Sequence, residues 1–174
     1  MSIERKGLIN FSGQDMTVVG PDIKVGQSAP EFTVQNTDWK TVKALESTRG
    51  KVRIIASFFS VSTSVCDREI RRFNVEAVSL GEDVVIIPVS MDLPVAQKNW
   101  CGAAGVDRVM TLSDHMTGEF GGKYGLLLKE LRFLRRAIFV VDRQGKVVYA
   151  DYMPALGDEP KYDQVIAAAR AALG

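Results

Sequence analysis

Two stretches of the chain are apolar at almost every position. KVRIIASFF (51–59) and DVVIIPVSM (83–91) are rich in β-branched residues, the pattern of strands buried in a sheet. Between them the period changes. Cys66, Ile70, Phe73, Ala77 and Leu80 advance in steps of four, three, four and three, one face of a helix over about Ser64 to Leu80. Arg68, Glu69, Arg71, Arg72 and Glu76 take the other positions and read as its polar side. A short helix is expected over Leu93–Ala104, a brief strand in VMTLSD, and a helix ending in glycines in GEFGGKYGLLL. AIFVVDRQGKVVYADYM (137–153) reads as a hairpin around Asp142–Gly145. A last helix, from Asp158 or Pro160 to Leu173, carries Tyr162, Val165, Ile166, Ala169 and Leu173 on one side. Near the N-terminus, GLINFSGQDMTVVG reads as a hairpin through Gly13-Gln14-Asp15, and GQSAPEFTVQNTDWKTV as extended and turn-rich. Strand, helix, strand, helix, hairpin and closing helix predict an α/β fold around a mixed sheet, since the closing hairpin must pair antiparallel.

Composition narrows the class. A chain of 174 residues with 46% hydrophobic content suits one domain, residues 1–174, with about 1–20 as an N-terminal hairpin extension. A net charge of +1 gives no support for nucleic-acid binding. Neither a signal peptide nor a membrane span is legible, so a cytoplasmic protein is expected. Cys66 and Cys101 are too few for a disulfide scaffold. With His115 they cannot make the usual four-ligand zinc site without carboxylates. His115, in SDHMTGEF, is expected to be solvated or capping. GEFGGKYG fails as a phosphate loop, because Thr117 stands where glycine is needed and Tyr124 replaces Ser/Thr. Trp39 and Trp100 read as packing residues, with gating of Cys101 as a second reading for Trp100.

Cys66 lies in the first turn of its helix, in FFSVSTSVCDREIRRFN (58–74). Ser62, Thr63 and Ser64 offer capping oxygens, and Asp67 follows Ser64 as in a capping box. Unpaired N–H groups and the helix dipole favour thiolate over thiol there. Cysteine is also among the most buried residue types, and Cys66 fits the apolar face equally well. Both readings stand on position alone. Cys101, at the end of QKNWCG, is compatible with a redox partner, though the spacing is far from CxxC. A cation is available in LKELRFLRRAIFVVD: Arg132, Arg135 and Arg136 precede a buried strand. They read either as a solvated basic helix end or, for Arg136, as a side chain aimed from the sheet at a helix terminus. Arg71 and Arg72 more naturally form salt bridges than bind phosphate.

TSVC followed by DREIRRFN, then SMDLPVAQKNWCGAAGV and RRAIFVVD, resembles the thiol peroxidase group of atypical two-cysteine peroxiredoxins over nearly the whole chain. The resemblance implies a thioredoxin-like fold of peroxiredoxin type: a mixed sheet flanked by helices, with an N-terminal β-hairpin. It implies that Cys66 reduces hydrogen peroxide and alkyl or lipid hydroperoxides, that Thr63 orients the peroxide, and that Arg136 stabilises the thiolate. Cys101 would resolve the sulfenic acid as a Cys66–Cys101 disulfide, which thioredoxin reduces. No cofactor is implied, and a homodimer is expected. Phe59, Ser64 and Val65 would border the substrate. The family pattern PxxxTxxC meets Phe59 at its proline, Ser62 replaces a common acidic residue, and Ser64 stands where glycine or proline is usual. Phe59 is expected to narrow substrate choice or slow the first step. The alternative function is a peroxide-responsive sensor on the same scaffold. Opening of the turn around Cys66 and of the Trp100–Cys101 segment is expected in each cycle, eased by Gly102.

Overall fold

The computed structural model describes residues 2–174. The chain opens with β1 (Glu4–Phe11) and β2 (Gln14–Val19), then β3 (Thr33–Asn36), β4 (Thr41–Lys43) and a one-turn α1 (Ala44–Ser47). The central run is β5 (Val52–Ser57), α2 (Ser64–Leu80), β6 (Val84–Ser90), α3 (Pro94–Ala104) and β7 (Leu112–Ser113). It continues with α4 (Glu119–Lys123), β8 (Leu127–Leu128), β9 (Phe133–Leu134), β10 (Ala137–Val141), β11 (Val147–Tyr152) and α5 (Tyr162–Leu173).

The seven-stranded sheet runs β11-β10-β5-β6-β7-β3-β4. β5 is parallel to β6 and β6 to β7, whereas β10 runs antiparallel to β5, so the sheet is mixed as expected. The two-residue period of β5 sorts its side chains between two cores. Val52, Ile54 and Ala56 meet Phe73 and Leu80 of α2 with Val165 and Ala169 of α5. Ile55 turns to the other face, among Phe32, Phe120, Tyr124 and Phe139. Among the described residues, no helix is long and apolar enough to cross a membrane.

Several elements depart from the sequence pattern. In the N-terminal hairpin Phe11 pairs with Gln14, so the turn is Ser12-Gly13 rather than Gly13–Asp15. Both turn residues have positive φ, 51° and 84°, which matches the twist of paired strands. The extended segment after Pro30 folds into the β3–β4 hairpin, whose tip carries Trp39 half exposed at φ 63° rather than packed. GEFGGKYGLLL supplies only the five-residue α4 before Leu127 and Leu128 enter a second sheet, β1-β2-β8-β9. Arg132 therefore lies in the turn of a short hairpin, and Arg135 and Arg136 follow that hairpin, not a helix.

The cap of α4 comes from Asp114, not His115. Asp114 is buried and accepts the N–H groups of Phe120 and Gly121 at 3.1 and 2.8 Å. His115 is half-buried beside Trp39 and bonds to Gln35 at 2.6 Å. Burial pushes the Asp114 carboxyl up to about 6, against the pull of those two amides. A carboxyl raised in the folded state contributes stability that is present below its unfolded value and lost as pH rises through about 6. Wild type is therefore expected to gain on Asp114→Asn as pH falls from 7 to 4, by at most about 3 kcal/mol. Urea unfolding of both proteins across that range checks it; a constant difference would refute the assignment.

Candidate active site

Thr63 is the N-cap of α2, in extended conformation (φ −101°, ψ 142°), and its carbonyl accepts the first helical bond from Asp67 at 3.0 Å. Among the described residues, no side chain caps this end. The expected capping box does not form, because the Thr63 hydroxyl turns back to donate to the Ser60 carbonyl at 3.0 Å. Asp67 is drawn off as well. It accepts Trp100 Nε1 at 3.0 Å and Arg71 Nε at 2.9 Å, tying α2 to α3. The first-turn amides thus carry no side-chain acceptor, and the positive end of the dipole is left for the sulfur that lies there.

Cys66 is fully buried, in an apolar cluster with Phe58, Val61, Ile70 and Val106. Arg136 reaches it from the sheet, with Nη1 3.0 Å from Sγ. The guanidinium is itself buried and used on three sides. Nε donates to the Asp158 carbonyl at 2.7 Å, and Nη2 pairs with the Glu69 carboxylate. Of the three arginines, Arg136 is the one at the cysteine. Arg135 is buried against Asp22 and the Tyr152 ring, and Arg132 is exposed.

Glu69 is the correction here. It reads as part of the polar side of α2, yet it is 2% exposed. The signal was present in the spacing: Glu69 is three residues from Cys66 and four from Phe73, so it falls on the edge of the buried face. Only a buried cation makes that position tolerable for a carboxylate. Arg71 and Arg72 form the expected salt bridges, with Asp67 and Glu76.

Cys101 borders the same apolar cluster as Cys66, together with Phe59 and Trp100, and both cysteines are free thiols. It is half-buried and lies 3.6 Å from the Thr111 hydroxyl, beside a cleft of about 310 Å³ lined by Asn36, Lys98, Val106 and Met110. Burial pushes its thiol up, with Thr111 opposing. Phe59 is half-buried and stacks on Phe133 (centroids 4.5 Å) and Phe11 (6.0 Å), which joins the Cys66 loop to β9 and the N-terminal hairpin. Val65 is half-buried and Ser64 exposed at the start of α2.

The loop before α2 is held by a residue with no obvious mark in the sequence. Asp92 accepts the Ser60 hydroxyl at 2.8 Å, the Val61 amide at 3.0 Å and the Ser90 hydroxyl at 2.7 Å. Since Ser60 accepts the Thr63 hydroxyl, Asp92 indirectly sets the orientation of Thr63.

Residues 24–166 match the Redoxin family model. The chain belongs to the redoxin family. This redoxin is 48% identical to the thiol peroxidase of Bacillus subtilis over 163 residues, 94% of this chain and 96% of that protein. It is 47% identical to the thiol peroxidase of Oceanobacillus iheyensis, covering 91% and 95%. The resemblance carried by the sequence motifs is borne out. Its fold superposes on a peroxiredoxin-like protein from Aquifex aeolicus with TM-score 0.86, at 33% identity over 96% of this chain and 98% of that one. A thiol peroxidase from Chromobacterium violaceum shares the fold at TM-score 0.82 and 17% identity, covering 95% of this chain and 96% of that one. The thioredoxin-like fold of peroxiredoxin type is thereby shown.

Proposed function

We propose that this protein reduces hydrogen peroxide and organic hydroperoxides through Cys66, and that Cys101 and thioredoxin complete the cycle. The similarity to thiol peroxidases over nearly the full chain makes it a peroxidase of the peroxiredoxin type. The observation that carries the reading is the guanidinium of Arg136, 3.0 Å from a sulfur buried at a helix N-terminus. Positive charge at that point stabilises negative charge on Cys66 Sγ, and the thiolate is the nucleophile.

In the first step the thiolate attacks one peroxide oxygen. The S–O bond forms, the O–O bond breaks, and the other oxygen leaves as water or an alcohol after taking a proton. Arg136 and the first-turn amides offset the charge that develops on the oxygens, and Thr63 orients the peroxide. In the second step Cys101 attacks the Cys66 sulfenic acid; the S–S bond forms, the S–O bond breaks and water leaves. Thiol–disulfide exchange with the dithiol of thioredoxin restores both cysteines. A half-buried Cys101 that favours its protonated form suits a resolving thiol, which reacts only once moved to the sulfenic acid. The exposed Phe11 beside Phe59 and Phe133 offers an apolar patch for a homodimer contact. A cytoplasmic location is part of this reading.

Peroxide consumption with thioredoxin as sole reductant tests the proposal, with Cys66→Ser as the reference for no catalysis. Wild-type turnover no faster than the reference would end it, leaving a peroxide sensor as the reading. Cys101→Ser is expected to react once with peroxide at near wild-type rate and then to lose at least 90% of steady-state turnover, on the order of the tenfold loss that 1.4 kcal/mol represents. Unimpaired cycling would remove Cys101 from the mechanism.

A further inference from the structure

The helix that carries Cys101 buries little of itself, and its central buried anchor is polar. Of the eleven residues of α3, only Pro94 and Gln97 are buried. Gln97 is one helical turn before Cys101 and is fully buried. Its amide nitrogen donates to the Ser90 hydroxyl at 3.0 Å and to the Leu112 carbonyl at 2.9 Å, linking α3 to β6 and β7. A carbonyl cannot donate, so the bond to Leu112 fixes which end of the amide faces the sheet. The other end, Oε1, is buried without a partner among the described residues. An aliphatic side chain would bury the same volume without that cost. The Ser90 hydroxyl that receives Gln97 is held in turn by Asp92, the carboxylate that also holds Ser60 and Val61 of the Cys66 loop.

We propose that Gln97 is a latch: it keeps α3 docked and Cys101 retracted, and through Ser90 and Asp92 it ties release of α3 to opening of the Ser60–Thr63 loop. Gln97 is a positioning residue, acting on resolution and not on the attack of Cys66. The inference rests on the assignment of Cys101 as the resolving thiol, which requires α3 to give way. A helix with one fully buried polar anchor, whose other ties (Trp100 to Asp67, Ala104 to Arg71, Lys98 to Asp38) lie at exposed or half-exposed positions, with a glycine beside Cys101 and a left-handed Gly105 at its end (φ 66°), gives way cheaply. The network supplies the timing. When the turn around Thr63 unfolds, Asp92 loses Ser60 and Val61 as donors and is free to shift, and the Ser90 hydroxyl that it orients toward Gln97 shifts with it.

Labelling of Cys101 by iodoacetamide in a Cys66→Ser background reads the docked state without peroxide or turnover, so its result is independent of whether the peroxidase reading holds. Gln97→Met keeps length and removes both bonds. It is expected to speed labelling at least tenfold, with faster amide exchange confined to residues 94–104. Asp92→Asn, which leaves Gln97 in place, is expected to speed labelling at least threefold. In the two-cysteine protein, Gln97→Met is expected to speed disulfide formation after one equivalent of hydrogen peroxide, while consumption of the Cys66 thiol stays within twofold. Labelling that is unchanged or slower in Gln97→Met overturns the latch. Faster exchange spread equally through β5 and β6 also overturns it, since Gln97 would then be an ordinary core residue. Unchanged labelling in Asp92→Asn overturns the tie to the Cys66 loop.

Discussion

Arg136→Met is expected to slow the reaction of Cys66 with peroxide by about 100- to 1,000-fold at neutral pH, the scale of losing one charged group that stabilises a developing anion. The same change is expected to cost about 3–5 kcal/mol of stability, because it leaves the carboxylate of Glu69 buried and unpaired. The two effects have different causes and can be separated. In Arg136→Met with Glu69→Leu the orphaned charge is gone, and exchange of a buried ion pair for apolar side chains is near neutral. Stability in urea should return to within about 1–2 kcal/mol of wild type, while reactivity stays low, since nothing restores the cation beside Sγ. Stopped-flow peroxide kinetics and urea titrations on the three proteins decide the matter. If the double variant recovers peroxide reactivity, Arg136 acts only by holding the fold and its chemical role is wrong.

How far the sequence anticipates this site depends on which force sets each part. Hydrophobic period placed α2 at Ser64–Leu80, the bounds observed, because a long amphipathic helix on a sheet leaves little freedom in where the apolar face begins. It also placed β5, β6 and the final hairpin, whose strands are apolar at most positions. Arg136 was legible as the residue next to a buried strand, since the sheet fixes where it points. What escaped is what polar partners decide. Glu69 looks like surface on any count of charged residues, and only the unseen arginine makes its burial affordable. The hydroxyls of Ser62, Thr63 and Ser64 promised a cap, but Thr63 bonds to Ser60, and Asp67 is claimed by Trp100 and Arg71. Asp92 and Gln97 fall in a motif that carried the resemblance, yet nothing in their spacing says that one gathers three donors and the other spans two strands. Short strands such as β8 and β9 were missed for a related reason: two residues set no period.

Phe59 illustrates the same limit from the other side. As a substitution for proline it reads as a threat to the pocket, because it frees φ and adds volume. In the fold its ring lies between Phe11 and Phe133 and packs on the cluster that contains Cys66. Each such aromatic pair is worth about 0.5–1.5 kcal/mol and ties the loop to β9 and the N-terminal hairpin.

Glu69→Gln is the sharper probe of the buried charges, because it preserves shape and one acceptor oxygen while removing the carboxylate's charge. The Arg136 guanidinium then keeps the Asp158 carbonyl and the Cys66 sulfur, 3.0 Å from Nη1, but no carboxylate. Two results are expected. Stability falls by up to about 3–5 kcal/mol, the range for breaking a buried pair from one side. Alkylation of Cys66 at pH 7 becomes faster, since the sulfur no longer shares the cation with a carboxylate. The same logic predicts that the two positions are coupled. In a Cys66→Ser background no polarisable sulfur is left to face Arg136, so Glu69→Gln should cost more than it does with Cys66 present. The excess is expected to be about 1–3 kcal/mol, within the range for residues joined through a shared partner. A double-mutant cycle in urea measures it directly. Additive costs, or alkylation no faster in Glu69→Gln, would mean that Glu69 and Cys66 do not compete for Arg136, and the charge balance of the site would have to be assigned to the helix end alone.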